Sequence, residues 1–480
     1  MSFYKKLAVV GLFLLAFFFA FFRLKESPYF WFDEGWYYQT SANLALHGID
    51  GIQMSPGNIQ HVSTFVTVGY PLIYPMGLWM KIFGVSVMSA RSLMALYILA
   101  FIAVSFFLAK RKFGSIVAIA ALAMLATFPP LYANGKSVLG EVPGLLYLVS
   151  FLLCYGLAMA NKERRVFWLI IAGAFAGLCI ATKPFFILLL PAVFVGAIVG
   201  WRRKELSVED LATGFISALI PIIAWSIVQF RGGDTLSVIL TYYANPYHIS
   251  DITGIILSNL RNLFTDVGTL FLMSLTLVWV VGLYVRRKTK EMVSLEEIIA
   301  FTFSILVILA FLRTGGAYRY LFPAQALAII FFPHSLLATA GFSMKRFKTG
   351  LSSYVAWLLV AVISLLSLYQ LSFRSWVADG YSSRKSEFWE DYFSKVSSST
   401  TVFFYDTPEV VPFMKGDNYY QFILAPAGSS TGAEQLPILE KAKADLVIVA
   451  GTRLEYNIGG IFDRYKVKDK AYKYSILMKR

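Results

Sequence analysis

The chain has 480 residues, of which 58% are hydrophobic and only 15% are charged, and its mean hydropathy is +0.64. A soluble domain carries about 25% charged residues, so the composition excludes a cytosolic enzyme, a secreted disulfide scaffold and a disordered chain. Several stretches approach the ~20 apolar residues that a helix needs to cross a bilayer. The sequence lacks the alternating strands of about ten residues that build a membrane barrel. We therefore predict a polytopic α-helical membrane protein.

The two cysteines and the net charge of +15 point to no metal or nucleic-acid site. Cys154 and Cys179 both lie inside apolar stretches without metal-ligand spacing, which is typical of small buried side chains. The basic residues occur in short clusters between apolar stretches, and such clusters set the orientation of membrane helices. We therefore expect no nucleic-acid partner.

About eleven apolar stretches have the length of a membrane span. The first, Leu7–Phe22, follows Lys5 and Lys6 and resembles a signal peptide, but no small-residue cleavage site follows it, so we expect a retained anchor. The others lie near Ser89–Ala109, Ser115–Leu131, Val142–Ala160, Val166–Ala181, Phe185–Gly200, Leu211–Val228, Val267–Val285, Leu295–Leu312, Leu321–Gly341 and Ser352–Leu371.

Basic clusters fall in alternate connections between these spans. They are Lys5-Lys6, Lys110-Arg111-Lys112, Arg164-Arg165, Arg202-Arg203-Lys204, Arg286-Arg287-Lys288 and Lys345-Arg346. Because cytoplasmic loops carry the excess of Lys and Arg, these connections are predicted to be cytoplasmic. An odd number of spans then places the N-terminus inside and the C-terminus outside, in a multi-pass protein of the cell membrane.

The predicted outer side carries a long first loop, residues 23–88, and a C-terminal tail. We divide the chain into a membrane domain, residues 1–371, and an extracytoplasmic domain, residues 372–480. The tail has short strand-like segments rich in aromatic and β-branched residues, with helix-compatible segments between them, and this order predicts a compact α/β unit. The strand segments are Thr401–Tyr405, Tyr420–Leu424 and Ala444–Val449, the helical ones are Thr407–Lys415 and Glu434–Lys443, and Ser397-Ser398-Ser399 is the expected linker.

Asp33 and Glu34 stand about ten residues after the first span, inside the aromatic run from Tyr29 to Tyr38. Charged groups beside a bilayer are costly to keep, so an acidic pair here is a candidate functional site. The alternative is structural: Trp and Tyr favour the headgroup level, and Asp33 is a suitable helix N-cap. The segment alone leaves both interpretations open.

Glu141 opens the fourth span on the same predicted side as Asp33. It suits a first helical turn, where the helix dipole stabilises a carboxylate. Together with Asp33, it could instead hold an acceptor hydroxyl, a proton or a divalent metal ion. We keep both interpretations here.

Five basic residues lie on the predicted outer side and could bind a phosphate: Arg91, Lys136, Lys183, Arg313 and Arg319. Charge-assisted hydrogen bonds to phosphate oxygens are strong where water is excluded. For each residue taken alone, extension of the side chain to the lipid headgroups is the favoured interpretation. His61 and His248 are also predicted to face outward, but neither has the spacing of a metal site.

Several segments resemble the GT-C glycosyltransferases, in particular the branch of the protein O-mannosyltransferases and the lipid A aminoarabinose transferase. Asp33-Glu34, followed by Tyr37-Tyr38, resembles the acidic motif of the first outer loop. Further matches, in chain order, are Gly69-Tyr70-Pro71-Leu72-Ile73-Tyr74, Phe83-Gly84-Val85-Ser86, Ala90-Arg91-Ser92-Leu93, Gly140-Glu141-Val142-Pro143, Thr182-Lys183-Pro184 and Arg319-Tyr320-Leu321-Phe322-Pro323. The resemblance covers roughly residues 20–325, and no motif covers the tail.

The resemblance implies an inverting transferase that moves a sugar from a polyprenyl-phosphate donor, dolichyl or undecaprenyl, to an extracytoplasmic lipid, glycan or protein. Since no nucleotide sugar is expected outside the cell, a lipid-linked donor also suits the predicted topology. Asp33 is the expected base, with Glu141 and Glu34 orienting the acceptor or holding an optional cation. The expected substrate-binding residues are Tyr70, Arg91, Lys136, Lys183, Arg319 and Tyr320.

The sequence departs from this branch in the first loop and in the tail. Val68-Gly69-Tyr70-Pro71 lacks the acidic and basic residues that several relatives carry before a double proline. A divalent cation such as Mg²⁺ or Mn²⁺ is therefore compatible with the sequence but not required by it. The tail has no WWDYG-like element, which argues against an oligosaccharyltransferase.

Two alternatives to a transferase remain at this point. A transporter or flippase for a lipid-linked or anionic substrate should carry polar residues at mid-bilayer and inverted repeats, and the sequence shows neither. A scaffold whose tail binds a partner would not need the acidic pair. The transferase accounts best for charges that gather at the outer ends of the spans.

Overall fold

The computed structural model describes residues 2–61, 67–231, 250–345, 352–378, 381–422, 442–450 and 464–480. In chain order the helices are α1 (Phe3–Phe21), α2 (Phe32–His47), α3 (Tyr70–Phe83), α4 (Val87–Phe113), α5 (Ser115–Ala126), α6 (Pro129–Gly135), α7 (Glu141–Ala160), α8 (Arg165–Thr182), α9 (Leu189–Arg202), α10 (Val208–Gln229), α11 (Ile252–Thr265), α12 (Val267–Lys288), α13 (Leu295–Phe311), α14 (Phe322–Lys345), α15 (Ser352–Phe373) and α16 (Tyr381–Ser394). The strands are β1 (Ile52–Ser55), β2 (Asn58–Gln60), β3 (Val402–Tyr405), β4 (Tyr419–Phe422), β5 (Leu446–Ala450), β6 (Tyr465–Ala471) and β7 (Tyr474–Lys479).

Within the described ranges, nine helices are long and apolar enough to span a membrane, or ten if one bent pair is a single span. The bent pair is α5 and α6, which meet at an angle of 57°. Pro129 and Pro130 begin α6, and a proline disfavours helical geometry in the residue before it, so the predicted span Ser115–Leu131 is broken at Thr127 and Phe128. The predicted span at Leu295–Leu312 is the 17-residue helix α13. The polytopic helical fold is thus confirmed.

Ion pairs join the helices at the end of the bundle that carries the basic clusters, which we call the basic end. Lys112 Nζ lies 2.6 Å from a carboxylate oxygen of Glu296, and Arg165 lies 2.7 Å from Asp210. Arg286 forms a buried two-contact pair with Glu297. These pairs link helices α4 to α13, α8 to α10 and α12 to α13. The predicted loops at 110–112, 164–165 and 286–288 therefore share one end.

The first loop packs at the opposite end, which we call the site end. It contains helix α2, the antiparallel hairpin β1–β2 and helix α3. Arg91, near the start of α4, donates hydrogen bonds to the carbonyls of Leu24, Lys25 and Pro28 just after α1. The amide of Gly69 donates to the carbonyl of Thr182 at the end of α8, at 2.9 Å. The loop is therefore fixed to several spans at once.

The tail contains helix α16 and a five-stranded mixed sheet in the order β4-β3-β5-β7-β6. β3 runs parallel to β4 and β5, whereas β7 runs antiparallel to β5 and β6. The three predicted strands are present, and the C-terminal hairpin β6–β7 was not predicted. The segment Thr407–Lys415 forms turns and a short 3-10 helix, Val411–Phe413, instead of an α-helix. Most of the predicted helix Glu434–Lys443 lies outside the described residues.

One apolar core joins the first loop to the tail. Its buried members from the loop include Phe30, Trp36, Tyr37, Tyr38, Ile52 and Leu72, and those from the tail include Trp389, Phe393, Phe404, Val410, Ile448 and Ile476. Buried amides add to this contact, since Gln421 donates to the Gln39 side chain and to the carbonyl of Gln53, each at 2.6 Å. The tail therefore packs directly on the helix that carries Asp33.

Candidate functional site

Helix α2 begins at Phe32 and carries both acidic residues of the predicted motif in its first turn. Successive residues of a helix point about 100° apart, so the two side chains reach different surroundings. The Asp33 side chain is 27% exposed, whereas that of Glu34 is completely buried. The adjacent carboxylates therefore occupy different environments, an accessible one and a buried one.

Asp33 forms an ion pair with Arg319, which lies in the short 3-10 helix Tyr318–Tyr320 just before α14. Arg319 Nη2 is 2.7 Å from Asp33 Oδ2. The guanidinium also lies over the rings of Trp31 and Tyr320, at 5.8 and 5.2 Å from their centres. Aromatic faces attract such a cation, so Arg319 is held in place from three sides.

Glu141 and Lys183 form a second ion pair in the same region. Lys183 Nζ is 2.6 Å from Glu141 Oε1, and both side chains are almost buried. Burial opposes the charged form of Arg319, but the carboxylates of Asp33 and Glu141 together raise its pKa above the ordinary value. Both carboxylates therefore act on one guanidinium, and the structure brings Asp33, Glu141, Lys183 and Arg319 into one cluster.

Tyr37 lies one helical turn after Asp33, on the same face of α2. Its hydroxyl is 2.8 Å from Thr67 Oγ1. Burial, and then the nearby charge of Asp33, raise the pKa of Tyr37 well above its ordinary value, so its hydroxyl stays neutral at physiological pH. Tyr37 belongs to the acidic motif but was not among the expected site residues. The spacing of four from Asp33 indicates this position once the segment is known to be helical.

Two buried polar atoms of the cluster lack a hydrogen-bond partner among the described residues. They are Arg319 Nη1, a donor, and Glu141 Oε2, an acceptor. Buried polar groups are nearly always paired, so such atoms indicate a place for a missing partner. The cluster therefore offers one donor to an anion and one acceptor to a hydroxyl or amine.

Glu34 and Arg91 form a separate, fully buried network beside this cluster. Arg91 Nε and Nη2 each donate to a different oxygen of Glu34, both at 2.9 Å. The backbone amides of Trp31 and Val138 also donate to Glu34, at 3.2 and 3.1 Å. Neither side chain is exposed. This network joins the first loop to α4 and to the turn before α7. Its contacts therefore hold these segments together.

Lys136 lies in the same turn, and its Nζ donates to the carbonyl of Phe22 at 2.5 Å. Burial, together with the nearby positive charge of Arg91, lowers the pKa of Lys136 to about 7. Lys136 is fully buried, so it belongs with the Glu34–Arg91 network rather than with the Asp33 cluster.

The remaining candidates are distributed around the site. Tyr320 contacts Arg319, with the Nη2-to-hydroxyl distance at 3.4 Å. The hydroxyl of Tyr70, at the start of α3, donates to the carbonyl of Pro221 at 3.4 Å. Arg313 is exposed. His61 bridges the carbonyls of Asp50 and Gln229, and His248 lies outside the described residues.

The arrangement of these side chains gives little support for a bound metal ion. Asp33 and Glu141 are each paired with a basic side chain. In the part of the chain that the structure describes, no group of three His, Cys, Asp or Glu side chains could hold a metal ion. We therefore derive no step through a metal.

Residues 71–227 match the family of dolichyl-phosphate-mannose-protein mannosyltransferases. The fold is similar to that of ArnT from Cupriavidus metallidurans in the apo state, with 14% identity, a TM-score of 0.62, and 98% of this chain and 97% of ArnT covered. It is also similar to ArnT bound to undecaprenyl phosphate, with 14% identity, a TM-score of 0.58, and 99% and 98% covered.

A third similar structure is the oligosaccharyltransferase AglB from Archaeoglobus fulgidus in complex with an inhibitory peptide and a dolichol-phosphate. It has 13% identity and a TM-score of 0.53, with 96% of this chain and 71% of AglB covered. No curated protein sequence matches the chain. At these identities the three structures show a common fold, and the family match agrees with it. Residues 71–227, about a third of the chain, therefore resemble the dolichyl-phosphate-mannose-protein mannosyltransferases, and the whole chain has a fold similar to that of ArnT and AglB.

Proposed function

We propose that this protein is an inverting glycosyltransferase that uses a polyprenyl-phosphate sugar, and that it acts on an extracytoplasmic lipid, glycan or protein. One observation carries the proposal: two carboxylates and two basic side chains meet in one cluster at the site end. Within that cluster, Arg319 Nη1 and Glu141 Oε2 have no described partner. This combination suits a reaction that needs an anion site beside a proton acceptor.

The donor class is supported by the fold neighbours. ArnT has been solved with undecaprenyl phosphate, and AglB with a dolichol-phosphate. When a polyprenyl-phosphate sugar reacts, the leaving group is an anionic lipid phosphate, which needs positive charge more than a proton. Preorganised cations stabilise charge that develops in a transition state. Arg319 and Lys183 are the two basic side chains of the cluster, and we assign the phosphate to them.

The acceptor is assigned to the carboxylates. Asp33 takes the proton of the acceptor hydroxyl or amine as a general base. The acceptor atom then forms a bond to the anomeric carbon while the bond from that carbon to the phosphate oxygen breaks, and the electron pair leaves with the lipid phosphate. Attack opposite the leaving group inverts the configuration. Glu141 Oε2 accepts a hydrogen bond from the acceptor and orients it.

Sidedness follows from the positive-inside rule. Since the three basic clusters at 110–112, 164–165 and 286–288 share the basic end, we assign that end to the cytoplasm and the site end, with the tail, to the outside. The membrane lipids then surround the spans, and the lipid-linked donor reaches the cluster from the bilayer.

The proposal is tested by incubating the purified full-length protein with radiolabelled polyprenyl-phosphate sugars and candidate acceptors, and identifying what becomes labelled. Asp33→Asn should lower transfer by roughly 10²- to 10⁴-fold, the usual contribution of a general base, with insertion and expression unchanged. Asp391→Asn is the matched control, because Asp391 is 66% exposed on the tail helix α16. Full activity of Asp33→Asn would contradict the assignment of the base.

Arg319→Ala tests the phosphate assignment in the same assay. We expect a higher apparent KM for the donor. An unchanged donor KM would remove Arg319 from the phosphate site. Transport of labelled lipid without any glycosyl transfer would instead favour a flippase.

A further inference from the structure

Arg319 has one paired terminal nitrogen and one that has no partner among the described residues. Its Nη2 lies 2.7 Å from Asp33 Oδ2, while its Nη1 is buried without a partner among the described residues. The rings of Trp31 and Tyr320 hold the guanidinium at this place. Because the guanidinium is held in place, it could exchange a hydrogen bond to Asp33 for one to a phosphate without a large movement of the side chain.

The two roles proposed above compete for this side chain. A guanidinium binds phosphate best with two parallel N–H donors. If a phosphate uses both Nη1 and Nη2, then Asp33 loses its hydrogen bond from Nη2. The Asp33 Oδ2 atom that accepts a hydrogen bond from Arg319 is then not free to accept one from an acceptor hydroxyl or amine. The same contact therefore bears on donor binding and on the acceptor base.

We infer that Asp33 and the donor phosphate share Arg319, so that the phosphate displaces Asp33 from Arg319 and frees it to act as the base. This inference rests on the proposed function. It implies that the donor binds before the acceptor is activated. Without donor, Asp33 Oδ2 stays bound to Arg319, and an acceptor that arrives first is not activated.

The test measures the Kd for undecaprenyl phosphate, without a sugar, on the full-length protein in detergent. Asp33→Asn removes the competitor for Arg319, so it should bind the lipid phosphate more tightly than the wild type. We expect about three- to tenfold, between the effect of an exposed ion pair and that of a buried charged hydrogen bond. Asp33→Ala is a second variant in case the amide forms its own hydrogen bond to Arg319.

A double-variant cycle separates this effect from the general change in charge. Arg319→Gln should weaken binding, and adding Asp33→Asn to Arg319→Gln should then change nothing. Asp391→Asn, far out on the tail helix, serves as the control and should leave the Kd unchanged.

Each outcome decides between the possibilities. Equal or weaker binding by both Asp33 variants would overturn the inference, and so would equal tightening in the Arg319→Gln background, which would show a charge effect only. If the folded wild type binds no undecaprenyl phosphate, the proposed function fails, and the shared role of Arg319 fails with it. Binding by the wild type without an Asp33 effect contradicts the inference alone.

Discussion

Replacing Arg91 by methionine removes one partner of the buried Glu34–Arg91 pair and keeps a side chain of similar length. Arg91 donates five hydrogen bonds, two to Glu34 and three to backbone carbonyls. After the substitution, Glu34 keeps only the amides of Trp31 and Val138. Removing one member of a buried pair costs about 3–5 kcal/mol, because the other charge stays buried without compensation. Since proteins unfold at a cost of about 5–15 kcal/mol, Arg91→Met should lose a large part of its stability.

The purified variant is heated in detergent, and the fraction that stays folded at each temperature is measured by size-exclusion chromatography. Lys395→Met is the matched control, since the Lys395–Asp391 pair is 70% and 66% exposed and should contribute little. A variant Arg91→Met with unchanged thermal stability would refute the structural role of the pair. Unchanged stability with weaker donor binding would instead support the phosphate contact that the resemblance implied.

Two further predictions concern the same end of the molecule. Because the pKa of Lys136 is about 7 in the folded protein and ordinarily 10.5, the unfolded chain binds more protons between these values, so stability should rise as the pH increases from about 7 to about 10. Thermal unfolding of Lys136→Met should show a smaller rise, and an unchanged slope would contradict the burial of the amine. A Cβ on Gly35 would overlap the backbone of Pro408 in the tail, whereas one on Gly11 would meet nothing within 4 Å. Gly35→Ala should therefore make the tail more sensitive to limited proteolysis while Gly11→Ala does not, and equal protease resistance would contradict close packing.

The membrane spans could be predicted because their length and composition are fixed by the bilayer rather than by neighbouring helices. The predicted span at Val142–Ala160 is helix α7, Glu141–Ala160, and that at Val267–Val285 lies within α12. Helices α2 and α3 were not predicted. Helix α2 is buried on most sides by the first loop and the tail, so it has no clear polar face in the sequence.

Part of the candidate cluster could be predicted from the sequence. The sequence placed Asp33, Glu141, Lys183 and Arg319 on one side, because all four lie in or beside the connections that alternate with those carrying the basic clusters. It could not separate Asp33 from Glu34, since adjacent residues differ in environment only once the helix is packed. Nor could the sequence distinguish Arg91 and Lys136, which lie in the buried network, from Lys183 and Arg319, which lie in the cluster.

The strands of the tail, too, could be predicted only in part from the sequence. Strands β3 and β5 are apolar and central, and their sequence predicts them. Strand β6 is an exposed edge with three lysines, at 466, 468 and 470, and its pattern does not resemble a buried strand. Lysines are common on such edges because they hinder pairing with other chains.

The core shared by the first loop and the tail has a consequence for biosynthesis. Trp36, Tyr37 and Tyr38 are among the first 40 residues to be made, but part of their apolar surroundings comes from Phe404, Ile448 and Ile476. During translation, helix α2 lacks these contacts until nearly the whole chain has been made. The protein can therefore reach its final fold only after synthesis is almost complete, so premature termination within the tail should leave α2 without part of its apolar surroundings.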